Sequence, residues 1–130
     1  MSGIAYADAS ALVKLVVAEP ESQAVYRWFT EAPRVATSRV GVVETIRASS
    51  RRPFDPEHRD AVLRDVEVID LSPAIAAVAA SVGPAILRTL DAIHIATAMA
   101  LVPDLDAFVT YDDRMAEAAR ALGLPVVRPA

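Results

Sequence analysis

At 130 residues the chain is long enough to bury a core without covalent or zinc staples, and its lack of cysteine excludes disulfide frameworks, thiolate zinc sites and cysteine nucleophiles. Hydrophobic residues make up 54% of it but aromatics only 5%, so the core must be built of Ala, Val, Ile and Leu. A formal net charge of −4 excludes a global attraction to nucleic acid and leaves that task to local basic patches.

Residues 3–7 read as a first strand ending at Asp8. Ser10 is positioned to cap the helix that follows, with Leu12, Val13, Leu15 and Val16 as its apolar stripe. Pro20 lies just past it, and residues 21–30 form a second helical stretch. After Pro33 comes a short buried strand at 35–37, then Ser38 as the next cap, and a helix carrying Val40, Val43 and Ile46 with Glu44 on an adjacent face. A polar connection at 51–56 leads to a helix at 57–65 and a third strand at 67–71. Ser72-Pro73 is a strong helix start, a cap followed by proline at the first helical position. Gly83-Pro84 breaks that run before a helix at 89–101, and residues 108–110 form a fourth strand. Asp112 starts or caps a last helix to Leu122, Gly123 stops it, and 125–127 is a fifth short strand. Strands alternating with helices predict a parallel sheet covered on both faces, with ligands bound beyond the carboxyl ends of its strands.

Four carboxylates stand out: Asp8, Glu44, Asp91 and Asp112 each have small or apolar neighbours, where an unpaired charge is costly. Brought together they would repel one another and raise one another's pKa values, a conflict that a divalent cation removes. Oxygen-only ligands suit Mg²⁺ or Mn²⁺. Each residue also has a plainer role. Asp8 suits a turn or a helix cap, but Ser10 competes for the cap and would leave Asp8 free to face a ligand. Glu44 either pairs with Arg47, three residues on along the helix, or serves the site. Asp91 suits a first-turn acid facing the helix dipole. Of the adjacent Asp112 and Asp113, Asp112 is the better ligand candidate and Asp113 the better cap or support.

The order of these residues is more specific than any one of them. Residues 4–15, Ile-Ala-Tyr-Ala-Asp-Ala-Ser-Ala-Leu-Val-Lys-Leu, resemble the opening of PIN-domain nucleases. Glu44-Thr45-Ile46-Arg47-Ala48 is similar to the second acidic motif of that family. Leu90-Asp91-Ala92-Ile93-His94-Ile95-Ala96 is similar to its third, and Phe108-Val109-Thr110-Tyr111-Asp112-Asp113-Arg114 to its fourth. The resemblance spans nearly the whole chain and is closest to the small VapC-type ribonuclease toxins of bacterial toxin–antitoxin pairs. It implies a single PIN domain over residues 1–130, a three-layer α/β/α sandwich around a mainly parallel sheet of five short strands. It also implies metal coordination by Asp8, Glu44, Asp91 and Asp112, supported by Ser10, Thr110 and Asp113, with one or two Mg²⁺ or Mn²⁺ ions and an RNA substrate. The implied partners are a cognate VapB-like antitoxin and a second copy of the chain, in a homodimer or a larger toxin–antitoxin assembly.

Arg47 and Arg51 follow Glu44 at helical spacings of three and seven and could lead phosphates toward the acids, as could Arg88 beside Asp91; each also suits a solvated face. His58 reads as solvent-facing and His94 as a hydrogen-bonded core histidine, which leaves a two-histidine, metal-free ribonuclease poorly supported. Trp28 and Phe29 suit either a contact surface or the core. A receiver domain would need a lysine late in the chain, whereas the only lysine is Lys14; a phosphatase would need Asp-x-Asp where Asp8-Ala9-Ser10 stands. No glycine-rich phosphate loop is present. A basic leader is absent, and the most apolar stretch, 73–87, is shorter than the roughly 20 residues needed to span a bilayer, so the expected setting is the cytoplasm. The competing class is a PIN-like RNA- or protein-binding module whose acidic pocket does no chemistry.

Overall fold

In the computed structural model, which describes residues 3–130, the run Ile4–Ala7 forms β1 and is buried along its whole length. A strand buried on both faces needs cover on both, which a parallel sheet between two helical layers supplies. The remaining elements are α1 (Ala9–Val16), α2 (Ser22–Glu31), β2 (Arg34–Ser38), α3 (Arg39–Ser49), α4 (Pro56–Arg64), β3 (Glu67–Ile69), α5 (Pro73–Ala79), α6 (Thr89–Met99), β4 (Leu105–Val109), α7 (Asp113–Ala121) and β5 (Val126–Val127). The strands lie in the order β3-β2-β1-β4-β5 and every pairing is parallel. The expected α/β/α sandwich is present, and its sheet is wholly parallel.

The two faces of the sheet follow from the period of two along β1. Ile4 and Tyr6 point to one side and pack with Phe108, with Ile95 and Ala98 of α6 and with Met115 and Ala119 of α7. Ala5 and Ala7 point to the other side, against Ala11 and Leu12 of α1, with Trp28 and Phe29 of α2 half-buried at the margin of that cluster. The two aromatics therefore belong to the margin of the core, each partly exposed. His58 is exposed, as expected, and its ring nitrogen Nε2 lies 2.7 Å from the Leu15 carbonyl oxygen.

Three helix starts fall at strand ends, and at two of them the structure corrects the sequence reading. Asp8, not Ser10, is the N-cap of α1: its carboxylate accepts the Ala11 N–H at 3.2 Å. Asp112, not Asp113, caps α7 by accepting the Met115 N–H at 3.0 Å. α1 thus starts two residues earlier than a Ser10 cap would have it, and α7 one residue earlier than an Asp113 cap would, because an aspartate in extended conformation satisfies the first free N–H groups as well as serine does. Ser38 caps α3 as expected, accepting from Gly41 at 2.9 Å. Several boundaries also move: the third strand ends at Ile69 rather than 71, and the helix expected at 89–101 ends at Met99. The fourth strand begins at Leu105 rather than at 108, and Gly3 lies outside β1, its N–H held by the Asp106 carboxylate at 2.7 Å.

Strand order reverses direction at β1: the chain runs outward through β2 and β3, then returns to place β4 on the other side. The carboxyl ends of β1 and β4 flank this switch point, where open parallel sheets leave a crevice for ligands. Asp8 and Thr110 are the residues that follow those two ends.

Candidate active site

Asp8 is buried, with 3% of its surface exposed, and three short contacts fix both its oxygens. Ser10 Oγ donates to Oδ1 at 2.5 Å and Ala11 N–H to the same oxygen, while Thr110 Oγ1 donates to Oδ2 at 2.5 Å. Thr110 Oγ1 in turn accepts the Asp112 N–H at 3.1 Å, and Ser10 Oγ accepts the Tyr111 N–H at 2.8 Å, so the loop after β4 is tied to the start of α1. Burial pushes the Asp8 carboxyl above its ordinary pKa, and the Ser10 and Thr110 hydrogen bonds oppose that rise without cancelling it.

Asp91 sits in the first turn of α6, half-buried. Its carboxyl is also raised, first by burial, then by the negative charge of Asp112 and, more weakly, of Glu44, against the opposing pull of Arg88. The fold thus brings Asp91 within electrostatic reach of Asp112 and Glu44, as the sequence reading requires. Glu44 does not pair with Arg47. Its Oε1 lies 2.5 Å from Nε2 of His94, whose other ring nitrogen, Nδ1, lies 2.5 Å from the Tyr6 hydroxyl. His94 is 1% exposed, the hydrogen-bonded core histidine expected. Its partners are what the sequence did not disclose: Glu44 and Tyr6 are 50 and 88 residues away from it along the chain. The available signal was a pair of polar rings, Tyr6 and His94, each inside an apolar run, since buried polar groups require partners.

Asp113 is exposed and carries an ion pair with Arg128 at 2.8 Å. A cleft of about 740 Å³ opens beside Glu44 and Ser10, lined also by Lys14, Arg39, Val43, Arg47, Arg51, Leu90 and Tyr111. Arg47 and Arg51 therefore share a wall with Glu44, although Arg51 lies beyond the end of α3. Arg88 does not line this cleft; it is the residue before α6, and its charge acts on Asp91.

Donor chemistry and charge fit an oxygen-preferring divalent cation. All four acids offer only oxygen, and among the described residues no lysine or arginine forms an ion pair with Asp8, Glu44, Asp91 or Asp112. No three acidic or histidine side chains among the described residues stand in a ready-made ligand arrangement.

A parallel α/β/α sandwich with the aspartate caps Asp8 and Asp112 beside its switch point defines a class of acidic-site α/β proteins. The comparisons identify the class. Residues 5–121 match the PIN domain, and the chain belongs to the PIN-domain family. It is 44% identical to Ribonuclease VapC46 of Mycobacterium tuberculosis and 37% identical to Ribonuclease VapC47 of the same organism, in each case over 95% of this chain and 96% of the relative. Among solved structures, Mycobacterium tuberculosis VapC20, a Sarcin-Ricin loop cleaving toxin, superposes with a TM-score of 0.72 at 19% identity, covering 96% of this chain and 99% of that one. A PilT N-terminus domain protein from Sulfolobus solfataricus superposes at 0.59 with 16% identity, over 96% of this chain and 86% of that one. These two likenesses speak for the fold.

Proposed function

We propose that the chain is a metal-dependent endoribonuclease of the VapC type, held in check by a cognate VapB-like antitoxin. The observations that carry the proposal are a buried Asp8 with no lysine or arginine paired to it among the described residues, and an Asp91 whose ionisation Asp112 and Glu44 oppose. Mg²⁺ or Mn²⁺, one ion or two, would be held by Asp8 and Asp91, with Glu44 and Asp112 completing the set. A bound ion of this kind supplies a water nucleophile near neutral pH and neutralises charge on a phosphodiester. Holding it requires the carboxylates to draw closer than they stand. Ser10 and Thr110 keep Asp8 oriented, and Thr110 couples it to the backbone of Asp112. Arg47 and Arg51 bring the RNA phosphates along the cleft to Glu44.

Residues 1–130 act as one domain in this proposal, in the cytoplasm, where RNA and antitoxin are found. Among the described residues no helix is long and apolar enough to cross a membrane. A homodimer, alone or within a larger toxin–antitoxin assembly, is the expected form. An antitoxin arginine entering the acidic pocket would occupy the cation's place and block phosphate access. The test is a titration of Mn²⁺ and Mg²⁺ into antitoxin-free protein with a structured RNA pool, beside Asp8→Asn. Cuts that need both the metal and Asp8 are expected; equal cutting by the variant would overturn the assignment.

A further inference from the structure

We infer that Tyr6 and His94 are positioning residues for Glu44, forming a directed hydrogen-bond relay through the core that presents a fixed N–H to one oxygen of that carboxylate. The inference rests on the proposed role of Glu44 in the acidic site.

With His94 neutral and Glu44 ionised, donors and acceptors set the direction. The Ser38 N–H, in the first free turn of α3, donates to the Tyr6 hydroxyl oxygen at 3.2 Å. A tyrosine oxygen that accepts from the backbone still has its own proton to give, and the polar atom at 2.5 Å is His94 Nδ1. Nδ1 is then an acceptor, which places the ring proton on Nε2, and Nε2 faces Glu44 Oε1 at 2.5 Å. An ionised carboxylate can only accept. Each link therefore fixes the next, from backbone through phenol and imidazole to the acid.

The relay is built into the buried core around the central strand. Tyr6 is fully buried on the central strand and stacks on Phe108, with ring centroids 5.3 Å apart, while the His94 ring meets it edge-on at 5.8 Å. Glu44, by contrast, is on a helix at the cleft wall, with 31% of its side chain exposed, and would otherwise sample several rotamers. Close approach of α3 is what brings it within reach. A Cβ at Gly41, one turn before Glu44, would lie 2.2 Å from Thr37 Oγ1 and 3.2 Å from His94 Cε1. Glycine there lets the helix seat against the imidazole.

Two consequences follow. His94 has both nitrogens engaged and is not itself a metal ligand. Glu44 has one oxygen committed to the relay and offers the other to an ion, so it binds through a single oxygen. Hydrogen-bond partners behind a ligating group commonly contribute ten- to hundredfold in metal affinity or activity, roughly the effect expected here.

The test uses the full chain, with Tyr6→Phe, His94→Leu and Glu44→Gln, and reads two quantities that need no RNA. Long-range ¹H–¹⁵N spectra of the metal-free protein report the His94 tautomer, and calorimetry reports Mn²⁺ affinity. Wild type should show the Nε2–H form at His94 with Nδ1 hydrogen-bonded, and Tyr6→Phe should keep Nε2–H but shift the Nδ1 resonance to that of an unbonded nitrogen. Both Tyr6→Phe and His94→Leu should weaken Mn²⁺ binding by about ten- to hundredfold, with little further loss when combined with Glu44→Gln. Tyr6→Phe keeps the ring stacked on Phe108, so the test survives if His94→Leu fails to fold. An Nδ1–H tautomer in wild type, wild-type Mn²⁺ affinity in Tyr6→Phe, or equal losses in the Glu44→Gln background would overturn the inference. If the tautomer and affinity results hold while no RNA is cut, the relay stands and only the ribonuclease reading falls.

Discussion

Asp8 serves two purposes with one carboxylate: it caps α1 and, in the proposed function, holds a cation. The cap explains why a charge is tolerated at a position 3% exposed, since backbone and hydroxyl donors reach both oxygens. Yet burial still raises its carboxyl above the ordinary value of 3.8, so the folded state prefers the acid form. The stability gained from that preference is complete below the ordinary carboxylate range and is lost as pH rises through the raised folded value. An amide does not ionise. Asp8→Asn should therefore gain in Tm relative to wild type as pH is raised from ~3 to ~7 in the absence of divalent metal. At neutral pH, saturating Mn²⁺ should shrink or reverse the difference, because only wild type gains ligand-linked stability. Thermal melts of the two proteins across that range, with and without Mn²⁺, check both signs; a difference that does not grow with pH would contradict the burial argument. Cleavage should fall by more than about a hundredfold in the same variant, beyond what loss of a supporting partner costs.

At the level of elements, α3 is the one whose placement the site most depends on, because it carries Glu44 and Arg47 while leaning on β2 and α6. Gly41 makes that lean possible. In Gly41→Ala the new methyl would meet Thr37 Oγ1 at 2.2 Å, and threonine is short and stiff at χ1, so the helix must shift. Overpacking of this kind costs about 1–3 kcal/mol, and urea unfolding should register it. RNA cleavage should fall as well, since Glu44 moves with the helix; wild-type stability and cleavage together would show that the contact is relieved locally. This dependence marks where the sequence stops being legible. Alternation of strand and helix, the buried runs and the acidic positions at strand ends all follow from local pattern. The caps at Asp8 and Asp112 compete in the sequence with Ser10 and Asp113, because Ser and Asp carry the same capping chemistry one or two residues apart. Residues 105–107 escaped notice as strand because Asp104 and Asp106 interrupt the apolar run, although Ala107 and Phe108 are buried. The Glu44–His94–Tyr6 chain is a contact between three distant elements, and no local pattern encodes it.

For the whole molecule the question is how a chain of net charge −4 takes hold of a polyanion. The field at long range is repulsive, so attraction must come from cations that are close to the phosphates and not already neutralised. Two of the four basic side chains at the cleft fail that condition: Lys14 is paired with Glu21 at 2.5 Å, and Arg39 with Asp70 at 2.8 Å. Arg47 and Arg51 meet it, lining the cleft with no ion pair among the described residues. If each neutralises one phosphate of single-stranded RNA, it contributes about 0.7 to the slope of log affinity against log salt. Binding is best measured in the Asp8→Asn background, where the RNA should stay intact. There, Arg47→Ala with Arg51→Ala should flatten the slope by about 1.4, while Arg88→Ala, off the cleft, should leave it unchanged. A slope that Arg88→Ala flattens and the cleft pair does not would move the RNA track to the mouth of α6. That result would also change how the acids are reached, because phosphates would then arrive from the side of Asp91 and not along the wall that carries Glu44.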